Sequence, residues 1–363
     1  MTPRVQFLVT CLEGGGAQRV VHDLALGVAA AGWQVRVTAL REPSQGRDRF
    51  TAPLLAAGLP ADHARLRHPL DLAGLGRLVA AVRGFRPDLV HAHLFHAHLA
   101  ARALPVRRVV TTHHEVERRH RPLRPLLQRL TGWRDAATVA VSQAVADHVR
   151  RSFGLRARVI PNGLDLDRFQ PRDRLQARAR LGLPPEAEVL GAVGRLHPQK
   201  GLEDLLEAFA GLDRPRALLV LAGEGALEAP LREQARRLGV AARVRFLGFQ
   251  EDVPAVFPAL DVLAMPSRWE GFGLGLVEAT ACGVPVVASA IDSLPEVAGG
   301  AARLVPAGRP DLLGQALARL LDHPEEREDL ARRGRLRARD FRVETMVGAH
   351  LELYRGLLGL PPA

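Results

Sequence analysis

The chain is poor in cysteine, in lysine and in long apolar runs, and each shortage removes a class of protein. Its 363 residues include two cysteines, Cys11 and Cys282. That is too few for a disulfide framework or a four-thiolate zinc site, so a small secreted scaffold is excluded and a reducing compartment is expected, with both thiols buried. The opening MTPRVQFLVT lacks the apolar length of a signal peptide and reads as a first strand. The least polar long stretch, Gly271 to Ile291, is broken by Glu278 and rich in Gly and Pro, so it fails as a spanning helix of about 20 apolar residues. No internal repeat of about 20 to 50 residues is visible, which leaves a solenoid unsupported.

What remains has the proportions of an ordinary folded protein, 47% hydrophobic and 25% charged, and at roughly 100 to 200 residues per domain it has room for two. Of 50 basic residues only Lys200 is lysine. The net charge of +11 is uneven: residues 1 to 170 hold 25 basic and 13 acidic residues, residues 171 to 363 hold 25 and 26. A basic half argues for an anionic partner, either nucleic acid or an acidic membrane surface. Nucleic acid is the weaker choice, because aromatics are only 4% and no helix-turn-helix, zinc finger or aromatic RNA-binding motif is recognisable.

Strand-like apolar runs alternate with helix-length amphipathic segments. VQFLVT, a helix from Gln18 to Ala31, QVRVTAL, a helix from Asp71 to Phe85, PDLVHAH, VVTTHH and ATVAVS follow one another. The rhythm pauses after VIPNGLDLDRF, passes a helix-like stretch at Arg172 to Leu181, and restarts with VLGAVGRL, Leu202 to Ala210, ALLVLAGEG, Ala229 to Leu238, VRFLGF, LDVLAMPS, a helix near Leu276 to Cys282, and VPVVAS. This is the βαβ order of parallel, doubly wound sheets. It predicts two Rossmann-like domains, residues 1–170 and 171–340, facing across a cleft, with sites in the strand-to-helix loops.

Three segments carry chemistry. Gly14, Gly15 and Gly16 lie between a strand and a helix, where bare amides suit a phosphate, although a simple tight turn fits equally. Arg195 and Lys200 sit five residues apart in another such loop, placed to clamp a diphosphate, and the single lysine of an arginine-rich chain argues that a compact point charge is required there. Glu270 and Glu278 flank a glycine-rich loop in SRWEGFGLGLVEATACGVPVVAS. Were the intervening segment all helix, about 1.5 Å per residue would separate them by roughly 12 Å, wider than the ~5 to 9.5 Å of a hydrolase pair.

Together, GGGAQRV, VIPNGLDLDRF, GRLHPQKG, LAGEG, the Glu270-to-Glu278 segment and the terminal FRVETMVGAHLELYRGLL resemble a retaining, group 1 glycosyltransferase of family 4 with the α/β GT-B fold, in order along nearly the whole chain. The resemblance implies transfer of a sugar from a nucleotide-diphosphate sugar to a glycan or lipid-linked acceptor in glycolipid or surface-polysaccharide synthesis; Glu278, Arg195 and Lys200 do not discriminate uracil from guanine or adenine, and a UDP-sugar is expected before a GDP-sugar as the commoner donor. It implies that Arg195 and Lys200 neutralise the leaving diphosphate and that Glu270 accepts hydroxyls of the donor sugar. Gly271, Phe272, Gly273 and Leu274 would line the donor, and Glu278 would hold the ribose. A first-domain histidine is implied near the transferred sugar, His93 before His113. The C-terminal stretch 341–363 is implied to return to the first domain, transfer to need no metal, and the enzyme to be cytoplasmic and peripheral on the inner face of the cell membrane.

Rival readings are a GT-B nucleotide-sugar hydrolase or epimerase and the nucleic-acid-binding protein above. His91, His93, His96, His98, His113 and His114 supply a rival metal site, disfavoured because no carboxylate falls among them before Glu115. Asp165 and Asp167 mimic an Asp-x-Asp metal signature but read as a linker feature. The segment RRHRPLRPLLQRLTGWRD, with Arg118, Arg119, Arg121, Arg124, Arg129 and Arg134, offers a basic and apolar patch for an anionic lipid surface. Pro122 and Pro125 interrupt a clean helix there, so a solvated loop is an equal expectation.

Overall fold

The computed structural model describes residues 2–44, 47–68, 71–116 and 123–362. It divides into two compact units, Met1–Gly163 with Val343–Ala363, and Leu164–Arg342.

The first unit is built on strands β1 (Arg4–Val9), β2 (Gln34–Ala39), β3 (Ala61–His63), β4 (Leu89–His93), β5 (Val109–His113), β6 (Asp135–Ala140) and β7 (Arg158–Val159). They pair in parallel in the order β3-β2-β1-β4-β5-β6-β7. Every residue of β4 and β5 is buried, which is why these runs are apolar without alternation: helices cover both faces of a parallel sheet. The order reverses at the β1–β4 pair, where Val9 lies beside His93, the place where open parallel sheets take ligands. The helix Val343–Leu358 belongs to this unit and puts Met346, Val347 and Tyr354 into one core with Phe7, Val21 and Leu24.

The second unit holds β8 (Glu188–Val193), β9 (Ala217–Ala222), β10 (Val244–Gly248), β11 (Val262–Met265), β12 (Val286–Ser289) and β13 (Arg303–Val305), again parallel, in the order β10-β9-β8-β11-β12-β13. The helix Leu202–Ala210 buries Leu202, Leu205, Leu206 and Phe209, one face at helical spacing, and places Glu203 and Asp204 in its first turn where the backbone dipole favours acids.

The unit boundary follows Gly163 rather than residue 170, because Leu164 already bridges to Arg342 and Phe169 packs on Phe257 with ring centroids 6.4 Å apart. Beside this boundary Asp165 accepts the backbone N–H groups of Asp167 and Arg168 at 3.0 and 3.1 Å, a turn that uses its carboxylate locally.

The Arg-rich segment differs from expectation. Arg118, Arg119, Arg121 and Pro122 lie outside the described residues, but Leu123–Thr131 is a helix. Pro125 lies within it without ending it. Gln128 points inward, while Leu123, Leu126, Leu130 and the following Trp133 are 69%, 50%, 60% and 77% exposed.

Candidate functional site

In the second unit the loops leaving β8, β11 and β12 are tied together by their backbones. Gly201 has φ +60°, and a Cβ there would lie 2.1 Å from the Pro266 carbonyl oxygen, so only glycine permits this approach. Arg268 N–H donates to Gln199 O at 2.7 Å, and the Gln199 side-chain amide donates to Trp269 O at 3.0 Å. These contacts bring Lys200 against Glu270, and Lys200 Nζ pairs with Glu270 Oε1.

Glu270 is a buried carboxylate, 6% exposed, and burial of a charge demands partners. Ser267 Oγ donates to the same Oε1 at 2.9 Å. The Glu270 N–H donates to Asp292 Oδ2 at 3.0 Å, and Ser293 Oγ donates to the Glu270 carbonyl at 3.3 Å. Arg195, in the Lys200 loop, is exposed and pairs with no carboxylate among the described residues. Two cations of one loop thus differ: one is committed to a protein acid, the other is available.

The helix Leu274–Ala281 starts at Gly273, whose φ is +85°, and no side chain caps it. Its first amides and the dipole favour an anion. Phe272 is buried with its ring edge-on to Phe341 at 5.4 Å, so what it offers a ligand is backbone. Leu274 and Glu278 are half-buried. Because Glu270 precedes the helix, the all-helix spacing of roughly 12 Å does not describe the Glu270–Glu278 pair. Burial, with the Glu278 carboxylate adding to it, pushes the Cys282 thiol up to about 12, which makes it unreactive.

In the first unit the histidines form a buried cluster. His91 Nδ1 is hydrogen bonded to Tyr354 Oη at 2.5 Å and His91 Nε2 to Thr112 Oγ1 at 2.7 Å. His93 Nδ1 and His114 Nε2 are 2.9 Å apart, and His93 Nε2 is buried with no partner. His98 Nε2 donates to Thr112 O at 3.0 Å while its Nδ1 accepts from Gln128 at 3.1 Å, an arrangement that fixes the neutral tautomer and leaves neither nitrogen for a metal. Desolvation holds His91, His93 and His98 well below the usual histidine range and brings His113 and His114 down to about 3. Among the described residues no group of three or more His, Cys, Asp or Glu is arranged to hold a metal ion.

A cavity of about 220 Å³ opens at the carboxyl ends of β1, β4 and β5, reached by Thr10, His96, His98, His113, His114 and Arg124. His113 Nε2 is buried there without a partner. His93, the favoured histidine of the sequence, does not line it, nor do Gly14 to Gly16, which precede and open the helix Gly16–Ala30 without a side-chain cap. Leu94, next to His93, has φ +74°, a strained conformation for a branched residue and one characteristic of functional turns.

Sequence reasoning missed Ser267, Asp292 and Tyr354. Tyr354 had one signal, being the only tyrosine of the chain. The other two had none, because their contacts exist only once the loops are folded.

Residues 14–168 match the family described as Glycosyltransferase Family 4, and residues 173–337 match Glycosyl transferases group 1. A D-inositol 3-phosphate glycosyltransferase of Corynebacterium urealyticum is 32% identical over 391 residues, covering 96% of this chain and 92% of that protein. One from Saccharomonospora viridis is 41% identical over 216 residues, covering 54% of this chain. The chain spans about half the length of that relative, 49%. Among solved structures, Anabaena HepE in complex with UDP-glucose superposes with a TM-score of 0.86 at 23% identity, covering 97% of this chain and 99% of that one. Sucrose-phosphate synthase from Thermosynechococcus elongatus gives 0.84 at 24%, covering 98% and 99%. These structures share the GT-B fold with this chain.

Proposed function

The chain belongs to glycosyltransferase family 4, and from that premise we propose that it transfers a sugar from a UDP-sugar to an acceptor with retention of configuration. The observation that carries this reading is the buried Glu270 carboxylate, held by Lys200 and Ser267 beside the uncapped helix start at Gly273. An acid kept dry next to a cation and bare amides suits a ligand that presents both hydroxyls and phosphate.

Arg195 and Lys200 neutralise the diphosphate as it departs. Its charge grows along the reaction, so fixed cations in a low-dielectric site stabilise the transition state more than the bound donor. Glu270 accepts hydroxyls of the donor sugar, the backbone from Gly271 to Leu274 lines sugar and phosphate, and Glu278 holds the ribose. Glycine-turn amides at Gly14 to Gly16 and the first-unit histidines His93 and His113 serve the acceptor side, with no metal required. The UDP assignment draws support from HepE, which binds UDP and UDP-glucose.

The acceptor is a lipid-linked or surface-polysaccharide glycan reached from the inner face of the membrane. No helix is long and apolar enough to cross a bilayer among the described residues. Leu123, Leu126, Leu130 and Trp133, exposed beside Arg124, Arg129 and Arg134, favour docking onto an anionic surface over a solvated loop. The relatives' names point instead to a soluble phosphorylated polyol.

The test is thermal stability of the wild type and Glu278→Ala against UDP, GDP, ADP and their sugar conjugates without added metal. Ligand at about 100 times Kd adds roughly 2.7 kcal/mol. Stabilisation by UDP compounds that weakens in the variant supports the reading. Stabilisation by duplex DNA and by no nucleotide overturns it.

A further inference from the structure

The geometry points to Asp292 as a positioning residue that sets the aim of Glu270 and thereby the choice of donor sugar. This rests on the reading that Glu270 receives the sugar's hydroxyls. Asp292 follows β12 in a tight turn, where Ile291 N–H bonds to Ser289 O and Leu294 N–H to Ile291 O, both at 2.9 Å. Its φ is +43°, and it is one of four non-glycine residues with positive φ among the described residues. Aspartate and asparagine adopt this left-handed conformation more readily than other side chains. Glycine adopts it more readily still but has no carboxylate, and the carboxylate has a specific partner.

That partner is the backbone of Glu270. Asp292 Oδ2 accepts its N–H at 3.0 Å, and the next residue, Ser293, fully buried, donates its hydroxyl to the Glu270 carbonyl at 3.3 Å. One turn therefore holds both peptide groups of Glu270. From the other side Lys200 and Ser267 both engage Oε1. Glu270 is fixed at its backbone and at one carboxylate oxygen, and Oε2 accepts from no donor among the described residues. Oε2 is the atom left to accept a ligand hydroxyl, and its direction is set by the Asp292 bond, a charge-assisted one and so stronger than a neutral amide contact. Two sugars that differ in the orientation of one hydroxyl are told apart when a buried acceptor is fixed, because the wrong epimer leaves it unpaired.

Binding of UDP, UDP-glucose, UDP-galactose and UDP-N-acetylglucosamine is measured calorimetrically for the wild type, Asp292→Gly, Asp292→Asn and Glu270→Gln. The Gly variant keeps the backbone conformation without the carboxylate, and Asn restores an acceptor that tolerates positive φ. In Asp292→Gly the ratio between best- and worst-bound sugar should fall about tenfold with UDP affinity unchanged, and Asn should restore most of it. If Asp292→Gly retains the wild-type ratio while Glu270→Gln loses it, Asp292 has no such role and the reading of Glu270 stands. Equal loss of UDP and UDP-sugar binding in Asp292→Gly makes the residue merely structural and overturns the proposal. Should the wild type and Glu270→Gln behave alike across the panel, the reading of Glu270 itself falls.

Discussion

Tyr354 Oη and His91 Nδ1 are 2.5 Å apart, and this hydrogen bond joins the last helix of the chain to β4 at a separation of 263 residues. Both groups are fully sealed from solvent, at 0% exposure. Tyr354→Phe keeps the ring against Trp33 and His91 but leaves the imidazole nitrogen without a partner. Stranding a buried polar group costs about 1 to 3 kcal/mol. Urea denaturation of the variant should show a loss of that size in the first unit; an unchanged midpoint would mean that the hydrogen bond adds nothing to the apolar packing that holds this helix.

The same cluster predicts a steep loss of stability in mild acid. Burial depresses His113 and His114 to about 3 and His350 to about 4, and sets His91, His93 and His98 well below the histidine range. A histidine with a lowered folded pKa contributes fully above its unfolded value of about 6.5 and progressively less below it, because only the unfolded chain takes up the proton. Each such group costs up to about 1.4 kcal/mol per pH unit in that window. Thermal midpoints should hold from pH 8 to 7 and fall increasingly from pH 6.5 to 4.5. Replacing His113 with Gln should flatten the slope, and a midpoint independent of pH down to 5.5 sinks the argument.

Local chemistry explains what the sequence made legible. Strands buried on both faces must be apolar, so VLGAVGRL and ALLVLAGEG announce themselves, and Leu202 to Ala210 shows its helix through the spacing of Leu202, Leu205, Leu206 and Phe209. Lys200 was visible because it stands alone in composition. The contacts that complete the site are long-range: Lys200 meets Glu270 across 70 residues and Asp292 meets it across 22. Neither period nor composition encodes a carboxylate that bonds a distant amide.

Lys200→Ala removes the one cation that pairs with the Glu270 carboxylate among the described residues and tests both that pairing and the proposed phosphate contact. Without ligand, Glu270 keeps Ser267 as a side-chain partner but loses its counter-charge, and the second unit should lose stability, because a buried charge without its partner is costly. With donor, if Lys200 stabilises the leaving diphosphate as proposed, its loss should lower turnover about 10²- to 10³-fold. Lys200→Arg separates the two. It retains charge but replaces a compact ammonium with a wide planar fork, so it should recover more stability than turnover. Equal recovery of both would remove the argument for a point charge.

The face presented by Leu126, Leu130 and Trp133 makes a prediction that separates surface function from folding. All three are at least half exposed, so replacing them with serine removes little packing and should move stability by no more than about 0.5 kcal/mol each. If this face meets lipid, the triple variant should lose flotation with vesicles containing anionic phospholipid while binding UDP as before. Raised salt should weaken the wild type in the same assay, since the arginines beside this face act through a screened surface field. Undiminished flotation of the triple variant would place any membrane contact elsewhere on the basic unit. A wild type that ignores vesicles altogether would favour a soluble acceptor, in agreement with the phosphorylated polyol for which its relatives are named.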